Sequence, residues 1–225
     1  MAEKRKRSLL RIFAKATAGL ALGASILYGG FAGVFYAGRG DRLTEGEAQL
    51  VTSIFGDEID ASKIRKHFKN ESHITHLFGS KQGTVLPFLN HIDIFGPYAA
   101  SPDYSRESAY LYGFFAHEAT HIWQNQNWAW STKAMNVYEY QLKPESKFSD
   151  FGGEQQASII EAYVQRFIHP QGRKDASSET AAFDAMLQKV VEDRFPQATK
   201  TRLALDEADA GAARPSPKIA GGWSR

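Results

Sequence analysis

The segment His117-Glu118-Ala119-Thr120-His121 contains the residue types of a zinc site at the spacing that such a site requires. In a helix, His117 and His121 lie one turn apart on the same face, where both imidazoles can reach one Zn²⁺ ion. Glu118 then lies about 100° further round the helix, where it can accept a proton from a water on the ion without being a ligand. The pattern therefore predicts metal-assisted hydrolysis with Glu118 as the general base.

A catalytic zinc site needs a third protein ligand and leaves one position for water. The favoured third ligand is Glu154, on the first turn of a second helix that the sequence predicts between a glycine pair and a proline. Glu161 is the alternative, because it lies two turns further along the same helix face. The predicted ligands are therefore His117, His121 and one of these two glutamates.

These motifs resemble the zincins that use a glutamate as third ligand and, more narrowly, the bacterial zincin-like proteins known as Vgr-related or Rhs-associated. The matching residues lie between positions 41 and 168, and they are Arg42–Glu47, Ile54–Asp57, Ile64-Arg65, His117–Gln124 and Glu154–Ile159. The resemblance implies a zincin-like α+β fold, a zinc cofactor, Glu154 as the third ligand and Glu118 as the base. It also implies secretion-system or envelope components as partners.

Three further residues are candidates for positions around the metal. Many glutamate zincins carry an acidic residue four positions after the third ligand, where it supports the first histidine through a hydrogen bond. This chain has Ser158 there, and a serine supports an imidazole more weakly than a carboxylate does. Tyr138 and Tyr140 lie between the two site helices, and either hydroxyl could stabilise an oxyanion.

The composition suits one folded, enzyme-like domain, and it gives no support for a nucleic-acid-binding protein or a disulfide-linked scaffold. The chain has 225 residues, of which 43% are apolar and 12% aromatic, and its net charge is +2. This small net charge gives no indication of nucleic-acid binding, particularly because six of the 27 basic residues lie before residue 16. The chain has no cysteine, which excludes disulfides and thiolate metal sites.

The N-terminal region carries the signal of a membrane segment. Residues 1–15 are basic, and residues 16–38 are uncharged over about the length that spans a bilayer as a helix. The charge asymmetry predicts a single-pass anchor in the bacterial inner membrane with the C-terminal domain exported to the periplasm. The alternative is a signal peptide cleaved after Gly30-Phe31-Ala32, where Gly30 and Ala32 are the small residues that a signal peptidase prefers, and cleavage would release a secreted protein.

The remaining pattern predicts an α+β domain over residues 41–205 that is mostly helical with a small sheet. Thr44 and Glu47 form a capping box that predicts a helix start. Residues 84–95 read as one or two short strands, one of which could pair with a peptide substrate. Residues 206–225 lack an apolar period and are predicted to be a disordered tail.

Two histidines outside the motif are interpreted as ordinary residues. His91 is interpreted as a half-exposed strand residue, with contact to substrate as the alternative, and His67 is interpreted as a surface residue.

The main functional hypothesis is a zinc-dependent hydrolase of the peptidase type, acting on a peptide bond in a protein or in the cell wall. The alternative is a non-catalytic zincin-like scaffold, an interaction protein of a secretion or envelope complex. A secreted toxin effector would share the chemistry of the hydrolase and differ in its destination.

Overall fold

The structure is a computed structural model, and it describes residues 40–69, 84–86, 90–95, 101–129, 137–174 and 180–212. The basic segment 1–15 and the expected membrane segment 16–38 lie outside the described residues. Within the described ranges, every helix is too short or too polar to cross a membrane.

The architecture is mostly helical with one small sheet, as the sequence predicts for an α+β domain. The strands are β1 Asp41–Arg42, β2 Arg65–Lys69, β3 Thr84–Leu86 and β4 His91–Phe95. The helices are α1 Glu45–Phe55, α2 Ala109–Gln126, α3 Gly153–Tyr163, α4 Pro170–Lys174, α5 Ala181–Glu192 and α6 Pro196–Ala212. A π-helical turn, Val164–Ile168, follows α3, and short 3₁₀ turns join several other elements.

The four strands lie in the order β1-β2-β4-β3, so that β1 and β3 are the edges of the described sheet. β2 and β4 are parallel, whereas each edge strand is antiparallel to its neighbour. Helix α2, which carries the histidine motif, contacts β3 and β4. The edge strand β3 therefore lies beside the motif helix, as required for a strand that could accept an extended peptide.

Helix α1 begins at the capping box that the sequence predicts. The Thr44 hydroxyl accepts a hydrogen bond from the backbone N–H of Glu47 at 3.2 Å, and the Glu47 carboxylate accepts one from the Thr44 N–H at 2.8 Å. Two N–H groups that a helix start leaves without partners are thereby satisfied.

The two site helices pack directly against each other. Ala116 and Ala119 on α2 and Ala157 on α3 are fully buried, and such small side chains let two helix backbones approach closely. Larger side chains close the core around them, and burial of each contributes about 1.5–3 kcal/mol. These residues are Phe115, Ile122, Trp123, Ile159, Ile160 and Tyr163. The rigid pairing of α2 and α3 fixes the relative position of the side chains that they carry.

The described helix α6 extends beyond the end that the sequence predicts for the domain. It continues to Ala212, although residues 206 onward were expected to form a disordered tail, and 213–225 lie outside the described residues. Arg202 pairs with Asp206 one turn later at 2.8 Å, and Thr201 donates a hydrogen bond to the Ser53 carbonyl on α1. These polar contacts support a helix whose apolar period is weak.

Candidate metal centre

His117 and His121 on α2 and Glu154 on α3 present their metal-ligating atoms to one another. The Oε2 atom of Glu154 lies 3.4 Å from Nε2 of His117 and 3.2 Å from Nε2 of His121. One donor atom from each residue lies within 4.8 Å of the other two. This group is the only one of its kind among the residues that the structure describes.

The local sequence explains this convergence. The two histidines are four residues apart on an unbroken helix, so their rings lie on one face, with centroids 5.1 Å apart. Glu154 lies in the first turn of α3, which begins after Gly152. The side chain of Gln155 accepts a hydrogen bond from the Gly152 N–H at 2.9 Å and holds this helix start.

The spacing of the donor atoms fits a zinc ion. Bonds of about 2.0–2.1 Å from zinc to nitrogen or oxygen, at tetrahedral angles, separate two ligand atoms by roughly 3.3 Å. The two separations to Glu154 Oε2, 3.2 and 3.4 Å, match this value. Two imidazoles and one carboxylate are also a donor set that catalytic zinc sites use.

His117 is held through its second ring nitrogen by Glu161. The Nδ1 atom of His117 lies 3.2 Å from Oε2 of Glu161, while Nε2 faces Glu154. Burial lowers the pKa of His117, but hydrogen bonds to Glu154 and Glu161 outweigh it and raise the pKa to about 10. Glu161 therefore lies behind the imidazole of His117, and Glu154 is the one of the two candidate glutamates whose carboxylate faces both histidines.

His121 is held in the same way by a neutral partner, Gln124. The Gln124 side-chain oxygen lies 2.9 Å from Nδ1 of His121 and leaves Nε2 directed at Glu154. Neither Gln124 nor the supporting role of Glu161 was predicted from the sequence. The signals that could have indicated them are the glutamine one turn after the motif and the glutamate seven residues after Glu154.

The carboxylates of the site have opposite electrostatic environments. Burial alone would raise the pKa of Glu154, but hydrogen bonds from His117 and His121 lower it well below its ordinary value. Glu118 is 6% exposed, and burial raises its pKa although the two histidines oppose the shift. Glu154 is therefore stabilised as an anion, whereas Glu118 is a better proton acceptor than an ordinary glutamate.

The structure separates the two candidate tyrosines. The ring of Tyr138 stacks on His117, with centroids 6.2 Å apart and planes 22° apart, and the residue is 55% exposed. Burial of its hydroxyl, together with Glu154 and Glu118, raises the pKa of Tyr138. Tyr140 packs against Phe151 instead, with ring centroids 6.2 Å apart. Tyr138 is thus the tyrosine that borders the donor cluster.

Ser158 is half-buried on α3, and in the described structure the hydrogen bond at Nδ1 of His117 is made by Glu161. The carboxylate that many glutamate zincins carry four positions after the third ligand is absent at Ser158, and the carboxylate beside His117 comes instead from Glu161, seven positions after Glu154. The reason is geometric, since residues i and i+7 share a helix face over two turns.

Comparison with known proteins relates the chain to a spike protein of a bacterial secretion system. The chain is 32% identical over 169 residues to the type VI secretion system spike protein VgrG2b of Pseudomonas aeruginosa. The match covers 67% of this chain and 16% of the length of that relative. The similarity supports homology between this chain and a segment of the spike protein, and it confirms the Vgr-related part of the resemblance.

A solved structure, the effector domain of Pseudomonas aeruginosa VgrG2b, is also similar to the chain. The sequence identity is 28%, the match covers 74% of this chain and 97% of that one, and the TM-score is 0.48. No protein-family model matches the chain.

Proposed function

We propose that this chain is a zinc-dependent hydrolase of the peptidase type that acts as an effector associated with a bacterial secretion system. The observation that carries the chemical part is the convergence of the His117, His121 and Glu154 donor atoms beside the buried carboxylate of Glu118. The spacing of the donors supports zinc as the ion.

The residues of the site have distinct roles in the proposed reaction. A zinc ion held by His117, His121 and Glu154 would polarise the substrate carbonyl and lower the pKa of water. Glu118 accepts the proton of the attacking water and returns it to the leaving amine, and its raised pKa supports both transfers.

Tyr138 is proposed to stabilise the oxyanion that develops on the substrate. Its ring lies against His117, and its raised pKa keeps the phenol protonated, so that it can donate a hydrogen bond. The edge strand β3 supports an extended peptide as substrate, because its outer edge can add a strand by backbone pairing. The proposed substrate is therefore a peptide bond in a protein or in the cell wall.

The proposed partners and destination rest on the relative. VgrG2b is a type VI secretion system spike protein, so we infer that components of such a system are partners of this chain. Such an association favours export of the domain. Two routes are proposed: anchoring in the inner membrane through residues 16–38 with a periplasmic domain, or release as a secreted protein after signal cleavage.

The second candidate function is a non-catalytic zincin-like interaction protein of the secretion apparatus. The observation that favours it is the similarity to a spike protein of a type VI secretion system. In this alternative the chain has the zincin-like fold, with a structural zinc ion or with none, and Glu118 transfers no proton.

The substitution Glu118→Gln separates the two candidates. It removes the proton acceptor and leaves the three ligands in place, so a hydrolase should retain zinc and lose about 10²-fold or more in rate. Zinc content would be measured by elemental analysis, and cleavage with a peptide library and isolated peptidoglycan. Glu45→Gln, exposed on α1, is the control and should leave both unchanged. If the zinc-loaded wild type cleaves no substrate beyond those that Glu118→Gln also cleaves, the hydrolase is excluded in favour of the interaction protein.

The destination is tested with alkaline phosphatase fused after residue 45, because this enzyme is active only when it is exported. An active fusion in the membrane fraction supports the anchor. A released mature chain that begins near Gly33 supports the cleaved signal, and an inactive fusion excludes export through residues 16–38.

A further inference from the structure

A chain of buried side-chain amides connects His121 to the start of helix α3. Gln124 is 0% exposed and Gln156 is 5% exposed. The Nε2 group of Gln124 donates hydrogen bonds to the Gly153 carbonyl at 3.0 Å and to Oε1 of Gln156 at 2.9 Å. The Nε2 group of Gln156 donates in turn to the Phe148 carbonyl at 3.3 Å and to the Phe151 carbonyl at 3.2 Å.

The three backbone carbonyls fix the direction of every hydrogen bond in this chain. A carbonyl oxygen can only accept, so the group of Gln156 that faces Phe148 and Phe151 must be its NH₂. Its oxygen then faces Gln124, which must present its own NH₂ to Gln156 and Gly153. Flipping either amide would bring two oxygens together, so the assignment follows from the network.

This direction determines the tautomer of His121. The oxygen of Gln124 faces Nδ1 of His121 at 2.9 Å, and an oxygen that accepts requires a proton on that nitrogen. In the neutral ring, Nε2 is then the nitrogen without a proton, and it lies 3.2 Å from the carboxylate of Glu154. Two acceptors at this distance repel each other unless a proton on the ring or a metal ion lies between them.

We propose that Gln124 and Gln156 form a positioning relay that sets the Nδ1–H tautomer of His121 and directs its Nε2 lone pair at a metal ion. The role toward a metal rests on the proposed function, whereas the tautomer follows from the hydrogen bonds alone. The relay also joins the two site helices, because Gln124 on α2 binds the carbonyl of Gly153, the residue before Glu154. Gln124 belongs to the His-Ile-Trp-Gln segment and Gln156 to the Glu-Gln-Gln-Ala segment. The zinc ligands alone do not explain why either segment carries a glutamine at that position.

Glutamine suits this position better than its analogues. A glutamate at 124 could accept from His121 but could not donate to Gly153 and Gln156, and it would bury a charge. A leucine or methionine would fill the space and leave several buried polar groups without partners. A complete network of buried amides is costly to disturb and rigid when satisfied.

The test compares Gln124→Met with Gln126→Met, which form a matched pair on the same helix. Each substitution removes three side-chain hydrogen bonds, those of Gln126 being with the N–H and carbonyl of Asp60 and with Asn90. Of these two glutamines, Gln124 is the one that contacts His121. Nitrogen-15 NMR of the metal-free chain, at the alkaline end of a pH series, identifies the nitrogen that carries the proton of the neutral ring.

The wild type and Gln126→Met are expected to show the Nδ1–H tautomer of His121, and Gln124→Met is expected to lose this preference. Zinc affinity, measured by competition with a chelating indicator, should fall about 10–100-fold for Gln124→Met and stay unchanged for Gln126→Met. Circular dichroism of both variants separates these effects from loss of the fold.

Two results would overturn the relay. One is an Nε2–H tautomer in the wild type, which decides the question even if Gln124→Met does not fold. The other is an equal change of tautomer and zinc affinity in the two variants. A wild type that binds no zinc would refute the proposed metal centre, and the tautomer of the metal-free chain would still test the relay.

Discussion

The Glu161 carboxylate lies 3.2 Å from Nδ1 of His117, while the other nitrogen of the same ring faces Glu154. A carboxylate behind a ligand imidazole fixes the orientation of the ring and increases its basicity. His117 therefore has an anionic support and His121 a neutral one, Gln124. In the proposed zinc site, this asymmetry would make His117 the stronger donor of the two.

The substitution Glu161→Gln should weaken zinc binding by about 10–100-fold, because it removes the charge that supports His117. Ser158→Ala is the matched control, since Ser158 stands on the same helix at the position where many zincins carry the supporting acid. Its zinc affinity should equal that of the wild type in the same chelator competition. A loss of affinity in Ser158→Ala with none in Glu161→Gln would reverse the assignment.

The two tyrosines near the site should differ in their effect on catalysis. Tyr138→Phe should lower kcat by about 10²-fold, because it removes a hydrogen-bond donor to the developing oxyanion. Tyr140→Phe should leave kcat near the wild-type value, since its ring packs against Phe151. Both variants should retain their zinc, so rates are compared at equal metal content. An equal loss of kcat in the two variants would contradict a specific role of Tyr138 at the oxyanion.

The elements predicted correctly from the sequence are those with local signals. The capping box at Thr44 and Glu47 fixes the start of α1 through contacts within one turn. The period of the motif helix and its ending near Gln126 depend likewise on neighbours in sequence. The glycine pair before Glu154 marks the start of α3 in the same way.

The features that were not predicted depend on contacts between distant residues. His67 was expected at the surface, but it is buried, and its Nε2 lies 2.7 Å from Nδ1 of His91, which was expected to be half-exposed and is 9% exposed. This contact requires the pairing of β2 with β4, which no local pattern specifies. The support of His117 by Glu161 likewise needs the packing of α3 on α2. Tertiary packing thus decides which polar residues become partners.

A buried ion pair between Lys66 and Glu47 should be important for stability. The two side chains are 1% and 0% exposed, and the Lys66 ammonium donates to the Glu47 carboxylate at 2.7 Å. Lys66→Met should lower the free energy of unfolding by about 3–5 kcal/mol, because it leaves a buried carboxylate without its counter-charge. Urea denaturation of the purified chain measures this difference.

The control for this pair is Lys63→Met, which removes an ion pair at the surface. Lys63 and Asp60 are 3.0 Å apart, with side chains 65% and 43% exposed, so the loss of stability should be much smaller than that of Lys66→Met. Equal losses in the two lysine variants would contradict the importance of the buried pair.

The pair formed by Glu58 and Arg194 should make the stability of the chain dependent on pH. Arg194 donates hydrogen bonds to the Glu58 carboxylate at 2.8 and 2.6 Å, and these lower the pKa of Glu58 below its ordinary value of 4.5. A group whose pKa is lower in the folded state stabilises the fold above its ordinary pKa, and this contribution is lost as the pH falls. Urea denaturation at a series of pH values should therefore show a difference in the free energy of unfolding between the wild type and Glu58→Gln that is constant near neutral pH and decreases below pH 4.5.

The control repeats this comparison in an Arg194→Met background. There the decrease with falling pH should be much smaller, because the main cause of the lowered pKa of Glu58 is absent. A difference between the wild type and Glu58→Gln that stayed constant down to the acid limit of folding would show that Arg194 does not lower the pKa of Glu58.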